Sequence, residues 1–91
     1  MVTIKLGRSF EKHFKIRIHS HNNLVKVYKE RVLLFAENRR DLVLRDHTLS
    51  GRLRGLRAFS ITDDIRVVYT ERGKDYYVFL DIGMHPQIYG M

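Results

Sequence analysis

The stretch that decides the fold runs from residue 53 to residue 82 and reads LRGLRAFSITDDIRVVYTERGKDYYVFLDI. It contains three apolar segments, at about 53–62, 65–71 and 75–82, separated by the short sequences TDD and RGK. Apolar and polar residues alternate within the segments, as at Ile65, Val67 and Tyr69, and this alternation is typical of half-buried strands. Because connections this short permit hairpins, the stretch predicts a three-stranded antiparallel meander.

The residues before the meander predict one short strand and two helices. The segment VTIKL at 2–6 alternates like a strand, and Gly7 ends it. A first helix capped by Ser9 places apolar residues four positions apart, and a second, capped by Asn22 or Asn23, extends to about Arg39 with an apolar stripe. The apolar residues of the two helices are Phe10, Phe14 and Ile18, then Leu24, Tyr28, Val32 and Phe35. We expect the apolar sides of both helices to pack against a sheet.

This order of elements predicts an α+β fold. We expect a short N-terminal strand, a helical hairpin and the meander to form a twisted four-stranded sheet with the helices on one face. A chain of 91 residues suits one core and one domain, here 1–91.

Charge and composition narrow the class of partner. Seventeen Lys and Arg against ten Asp and Glu give a net charge of +7, which favours polyanions, either nucleic acid or an acidic protein. The chain has 44% hydrophobic residues and no cysteine, as expected for a folded domain from a reducing compartment. Without an apolar run long enough for a membrane span or signal peptide, we expect a cytoplasmic protein that does not bind membranes.

Several polar residues lie where the predicted core does not require them. They come from a loop, the meander and the tail FLDIGMHPQIYGM at 79–91, and they are His47, Arg57, Ser60, Asp64, Arg66, His85 and Tyr89. Such a set contains the base, the cation and the acid needed for metal-free cleavage of RNA by a neighbouring 2′-hydroxyl. Each residue also has an ordinary interpretation, as a polar side chain on the surface or in a turn.

We expect no metal and no cofactor. The chain contains five histidines, of which only His19 and His21 are close in sequence, and this pair lacks the usual companion ligands of a zinc site.

The motifs of the second half resemble the RelE/ParE toxin superfamily, and most closely its YafQ-like branch. They read D-H-x-L-x-G at 46–51, G-x-R at 55–57, an acidic turn at Asp64, and G-x-H at 83–85 followed by Tyr89. The resemblance implies the fold described above. It also implies the toxin of a type II toxin–antitoxin system: a ribosome-dependent endoribonuclease that cleaves translated mRNA and is neutralised by a cognate antitoxin.

The same resemblance implies the site. It assigns catalysis to His47, Asp64, Arg66, His85 and Tyr89, with His47 or Asp64 as the base, Arg66 on the phosphate and His85 as the acid. RNA contacts are expected from Arg52, Arg54, Arg57 and Ser60, and ribosomal RNA would be bound through phosphates. The antitoxin is expected to wrap the basic toxin with an acidic segment.

One position departs from the branch. Ser60 occupies the place of a second histidine on the first meander strand, and a serine supplies neither acid nor base near neutral pH. Two alternatives stay open: a ParE-like toxin, which shares the fold but binds gyrase without catalysis, and a degenerate homologue that binds only its antitoxin, of which Ser60 would be a mark.

Overall fold

The structure is a computed structural model that describes residues 1–89; the last two residues of the tail at 79–91 lie outside the described part. The strands are β1 (Thr3–Leu6), β2 (His47–Thr48), β3 (Arg57–Ser60), β4 (Ile65–Gly73) and β5 (Tyr76–Met84). The helices are α1 (Arg8–Arg17), α2 (Asn22–Glu37) and α3 (His85–Tyr89), with 3-10 turns at Leu42–Leu44 and Gly51–Leu53.

The sheet confirms the α+β class and corrects its details. It has five strands in the order β1-β5-β4-β3-β2 instead of the expected four, because His47 and Thr48, ahead of the predicted meander, form β2 and pair with β3. The meander β3–β4–β5 is antiparallel as predicted, whereas β1 pairs with β5 in parallel.

The first meander strand is shorter than the predicted segment 53–62. It begins only at Arg57, because Gly55 adopts a positive φ of 93°, outside the extended region of backbone conformations. Leu53 and Leu56 therefore leave the sheet and pack in a small cluster instead.

The helical hairpin covers one side of the sheet, which we call the helix face. Phe10, Phe35, Tyr69 and Phe79 are at most 1% exposed there, and the Phe35 ring packs edge-on against Tyr69 and Phe79. Both helices begin without the side-chain caps that the sequence predicted: Gly7 precedes α1 and His21 precedes α2. Burial of the apolar stripes, rather than capping, therefore holds the hairpin in place.

The opposite side of the sheet, the groove face, carries a second and smaller apolar cluster. Ala58 and Val68 of the sheet pack there with Leu49 and with Ile88 of α3. The prediction that helices lie on one face is therefore correct for α1 and α2 but not for α3. This short helix carries residues 85–89 across the groove face.

Within residues 1–89, no helix is both long and apolar enough to cross a membrane.

Candidate active site

Strand register determines which polar residues share the groove face. Cross-strand partners point to the same side of a sheet, and side chains alternate along each strand. His47 pairs with Ala58, which pairs with Val68, so His47 lies on the groove face. The next row on that face runs from Ser60 through Arg66 to Gly83. One surface therefore collects residues from four strands.

A groove on this face brings together three of the predicted site residues. It has a volume of about 340 Å³ and is lined by His47, Thr48, Leu49, Ser50, His85 and Tyr89. We call it the histidine groove. Its two histidines come from distant parts of the chain, and the packing of Ile88 against Leu49 brings their segments together.

A backbone contact orients His47. Its Nδ1 lies 2.8 Å from the carbonyl oxygen of Arg45, and Arg45 adopts a left-handed conformation with φ of 50°. A carbonyl only accepts hydrogen bonds, so Nδ1 carries the proton in this contact. The neutral ring therefore presents an unprotonated Nε2, which is the form a general base requires.

The tail residues are held against each other. The rings of His85 and Tyr89 have centroids 4.2 Å apart and planes inclined by 46°. Arg52 donates a hydrogen bond to the Tyr89 carbonyl, which ties the end of α3 to the loop before β3. Arg52 therefore has a positioning contact that the sequence did not predict. Arg54 is exposed.

The row next to the groove contains one cation without a carboxylate partner. Arg66 is half-buried and forms no salt bridge with any residue in the range 1–89. Ser60, its register partner, is 4% exposed, and its Oγ has no hydrogen-bond partner among the described residues. Ser60 is therefore too deeply buried to present its hydroxyl to RNA in this conformation.

Gly83 is the last residue of this row. Because it has no side chain, it leaves room for a second guanidinium, that of Arg17. A Cβ added at Gly83 would lie 2.5 Å from Nη1 of Arg17. Arg17 donates a 2.9 Å hydrogen bond to the Ile82 carbonyl and lies 3.5 Å from Asp81, which also contacts His13 at 2.6 Å. These contacts fix the end of β5, from which α3 and His85 follow.

Asp64 lies in the exposed turn between β3 and β4, and it does not line the histidine groove. Ile65 pairs with Met84, so the turn and the start of α3 are at the same end of the sheet. The backbone amide of Asp64 donates a 3.2 Å hydrogen bond to the Thr62 hydroxyl.

Arg57 is separated from the other predicted residues. It pairs with Tyr69 on the helix face, where its guanidinium lies 3.2 Å from Asp46. This hydrogen bonding raises the pKa of the Arg57 guanidinium above its ordinary value. Tyr69 donates to the same carboxylate at 2.6 Å and lies 3.3 Å from Arg39. Arg57 therefore belongs to a structural network.

This network joins residues that are distant in sequence, so local sequence patterns do not predict it. In the sequence, Asp46 is part of the D-H-x-L-x-G motif and Tyr69 occupies an apolar strand position. The signal in the sequence is a tyrosine within the apolar strand segment IRVVY, because a buried hydroxyl needs a hydrogen-bond partner.

No group of three or more His, Asp or Glu side chains in the described part of the chain is arranged to hold a metal ion.

Comparisons with known proteins place these features in a family. A family model described as a bacterial toxin of type II toxin–antitoxin systems, YafQ, matches residues 2–90. Comparison with curated proteins found no match.

Three solved structures illustrate the similarity of the fold. YafQ from Escherichia coli BL21(DE3) is 22% identical with a TM-score of 0.74, covering 99% of this chain and all of its own. A metal-bound toxin from Helicobacter pylori is 26% identical with a TM-score of 0.74, covering 97% and 99%. YafQ in the E. coli DinJ–YafQ complex is 23% identical with a TM-score of 0.71, covering 99% and 100%.

The family match spans nearly the whole chain, and the solved toxins share its fold. The chain therefore belongs to the YafQ family of type II toxin–antitoxin toxins.

Proposed function

We propose that this toxin is a ribosome-dependent endoribonuclease that cleaves translated mRNA by attack of a 2′-hydroxyl on the adjacent phosphodiester. The observation that carries the proposal is the histidine groove, in which His47 and His85 face one space. A base and an acid on opposite sides of one phosphate are what this transesterification requires.

His47 is the base in this proposal. Its Nδ1 donates to the Arg45 carbonyl, so Nε2 is available to take the proton of the attacking ribose hydroxyl. Asp64 is the less favourable choice, because it lies in the exposed turn outside the groove.

Arg66 stabilises the phosphate in the transition state. It lies on the groove face in the row beside His47 and forms no salt bridge within the described chain. A guanidinium that is not neutralised by a carboxylate is free to donate to the oxygens on which negative charge accumulates.

His85 is the acid, and Tyr89 holds it. His85 protonates the departing 5′-oxygen as the P–O bond to that oxygen breaks. The Tyr89 ring lies against the imidazole at 4.2 Å, so Tyr89 serves mainly to orient His85 and secondarily to contact the nucleotide. The step yields a 2′,3′-cyclic phosphate and a 5′-hydroxyl: His47 takes the proton of the 2′-hydroxyl, and His85 gives a proton to the 5′-oxygen.

The partner is a cognate antitoxin. E. coli YafQ has been solved in complex with DinJ, and a chain with a net charge of +7 suits an antitoxin with an acidic segment that folds on contact. The exposed Arg52 and Arg54 would in turn bind ribosomal RNA phosphates in the active complex.

The test is primer extension on a reporter mRNA in a cell-free translation system, with and without ribosomes. Purified wild-type protein is compared with His85→Gln and with the control His19→Gln, which changes an exposed histidine of the α1–α2 connection. We expect cuts only with ribosomes, from the wild type and the control, and none from His85→Gln.

Two results would count against the proposal. Cleavage by His85→Gln at the wild-type rate would remove the tail histidine from the mechanism. Intact mRNA in every reaction, combined with growth arrest in cells, would refute the nuclease and direct attention to gyrase supercoiling.

A further inference from the structure

A second groove lies on the same face of the sheet, near its other end. It has a volume of about 630 Å³ and is lined by Lys5, Leu6, Gly7, Arg8, Arg72, Tyr76 and Val78. We call it the basic groove. It adjoins the edge strand β1, on the opposite side of the sheet order from the edge strand β2, and it does not share a lining residue with the histidine groove.

The strand register places the basic groove on the groove face. Thr70 lies two residues beyond Val68 on β4 and therefore points to the same side. Thr70 pairs with Val78, and Val78 pairs with Lys5. Tyr76 lies two residues from Val78 and shares this side. From Tyr76 to Met84, β5 extends about 26 Å at roughly 3.3 Å per residue, so β5 connects the two grooves.

The cations of the basic groove are unpaired. Lys5, Arg8 and Arg72 are exposed, and none forms a salt bridge with another residue in the range 1–89. No carboxylate lines the groove.

The other strongly basic depression differs in this respect. It is lined by Arg39, Arg40, Arg45 and Arg57 with two aspartates. Three of these arginines already lie against carboxylates: Arg57 on Asp46, Arg39 on Glu71 and Arg45 on Asp63. An arriving polyanion would find less free positive charge there than in the basic groove.

The basic groove also exposes an aromatic ring. Tyr76 is 39% exposed. An aromatic surface among unpaired cations is the arrangement that binds single-stranded nucleic acid, because bases stack on the ring while the cations contact the phosphates. Base-paired RNA does not offer a free base face in this way.

We propose that the basic groove binds a single-stranded flank of the RNA whose scissile phosphate occupies the histidine groove. Tyr76 stacks on an unpaired base, and Lys5 and Arg72 contact phosphates several nucleotides from the cut. This inference rests on the proposed function, since it takes the histidine groove as the place of cleavage.

The experiment measures binding without cleavage. Fluorescently labelled 2′-O-methyl RNA, which lacks the attacking hydroxyl, is titrated with the purified full-length toxin at several salt concentrations. One oligonucleotide has 4 nucleotides, enough for the histidine groove, and two others of about 16 nucleotides extend it in the 5′ or the 3′ direction. The variants are Tyr76→Ala, Tyr76→Phe and the pair Lys5→Gln/Arg72→Gln.

We expect the wild type to bind one of the long RNAs more tightly than the short one. Tyr76→Ala should weaken that binding about tenfold or more by loss of stacking, whereas Tyr76→Phe keeps the ring and should bind normally. Loss of Lys5 and Arg72 should reduce the salt dependence of log Kd by about 1.4, that is, about 0.7 for each phosphate contact. Binding of the short RNA should not change.

The control is the pair Lys26→Gln/Lys29→Gln, which removes equal charge from exposed positions of α2 on the other side of the molecule. Equal weakening by control and test pairs would overturn the proposal, since it would reflect net charge alone. Normal binding of long RNA by all variants would also overturn it, and a defect confined to antitoxin or ribosome binding would identify a different occupant.

Failure of this inference is distinguishable from failure of the proposed function. If the wild type cuts no mRNA yet binds long RNA through Tyr76, the nuclease is refuted and the basic groove remains an RNA site. If it cuts mRNA but Tyr76→Ala binds long RNA normally, only the present inference is refuted.

Discussion

The hydroxyl of Tyr69 donates a 2.6 Å hydrogen bond to Oδ1 of Asp46, the residue immediately before His47. The Asp46 side chain is only 8% exposed and also lies 3.2 Å from Arg57. Neighbouring residues therefore serve opposite faces of the sheet: Asp46 is anchored on the helix face while His47 projects into the groove. The buried carboxylate fixes the backbone from which His47 extends.

Removal of the Tyr69 hydroxyl should destabilise the protein and misplace His47. We expect Tyr69→Phe to lower the free energy of unfolding by about 1–3 kcal/mol, because Asp46 keeps its burial but loses a hydrogen bond. Urea denaturation measures this loss, with Tyr76→Phe at an exposed position as the control. Cleavage by the folded Tyr69→Phe variant should also fall; a variant as stable as the wild type would contradict the role of the network.

Stability should decline at alkaline pH through Tyr69. Burial, followed by its hydrogen bond to Asp46, raises the pKa of Tyr69 to about 12, above the value of about 10 for an unfolded tyrosine. The folded state therefore holds this proton more tightly, so the contribution to stability is complete below pH 10 and is lost as pH rises towards 12. It amounts to roughly 2 to 3 kcal/mol.

Urea midpoints measured from pH 8 to pH 11 check this expectation. Burial also raises the pKa of Tyr28 to about 12, so the wild type should lose stability through both residues. Tyr69→Phe should show a shallower decline above pH 10 than the wild type. An identical decline would show that Tyr69 does not contribute to it.

Substitution of Gly83 should impair activity more than stability. In Gly83→Ala the new Cβ would lie 2.5 Å from Nη1 of Arg17 and 2.8 Å from Oε1 of Gln87. Both atoms are the ends of flexible side chains, so they can move away at a cost of about 1–2 kcal/mol. In moving, Arg17 leaves the Ile82 carbonyl and Gln87 leaves the Met84 amide, and these contacts fix the start of α3.

We therefore expect cleavage by Gly83→Ala to fall by about tenfold or more, since small displacements of an acid group slow proton transfer. The control is Gly73→Ala, where a Cβ has no heavy atom within 4 Å. Parallel measurements of ribosome-dependent cleavage and thermal unfolding separate the two effects. A Gly83→Ala variant with wild-type cleavage would show that Arg17 and Gln87 do not position His85.

Loss of the unpaired arginine should slow the chemical step. We expect Arg66→Gln to reduce the cleavage rate about 10²- to 10³-fold, because a donor to the transition-state phosphate is removed. Arg66→Lys keeps the positive charge but lacks the planar guanidinium, so its cleavage rate should lie between those of the wild type and Arg66→Gln. Single-turnover cleavage on stalled ribosomes measures the rate; a matched Arg40→Gln variant should cleave at the wild-type rate.

The ends of the cut RNA report on the mechanism. Attack by the 2′-hydroxyl leaves a 5′-hydroxyl on the downstream fragment, whereas attack by water with loss of the 3′-oxygen would leave a 5′-phosphate. Polynucleotide kinase should therefore label the downstream fragment without prior phosphatase treatment. Labelling that requires phosphatase would refute the assignment of His85 as the acid for a 5′-oxygen leaving group.

Alternation and turn signals in the sequence are sufficient to predict the α+β class, the helical hairpin and the antiparallel meander. These features depend on local patterns: apolar residues repeat every second position in a strand and every third or fourth in a helix. The parallel pairing of β1 with β5 was not predictable in the same way, because it joins residues such as Ile4 and Tyr77 that are distant in sequence. The strand β2 has only two residues, too few for any period to show.

Residue identity in the sequence also determined which groups are available for chemistry, since residue type and motif spacing indicate His47, His85, Tyr89 and Arg66. Only the tertiary structure decided which of them meet. It brought the two histidines into one groove, placed Asp64 outside it, and sent Arg57 to the helix face. The physical reason is that a side chain's face follows from strand register and from the packing of α3 on Ala58 and Val68, and both are long-range properties that adjacent residues do not encode.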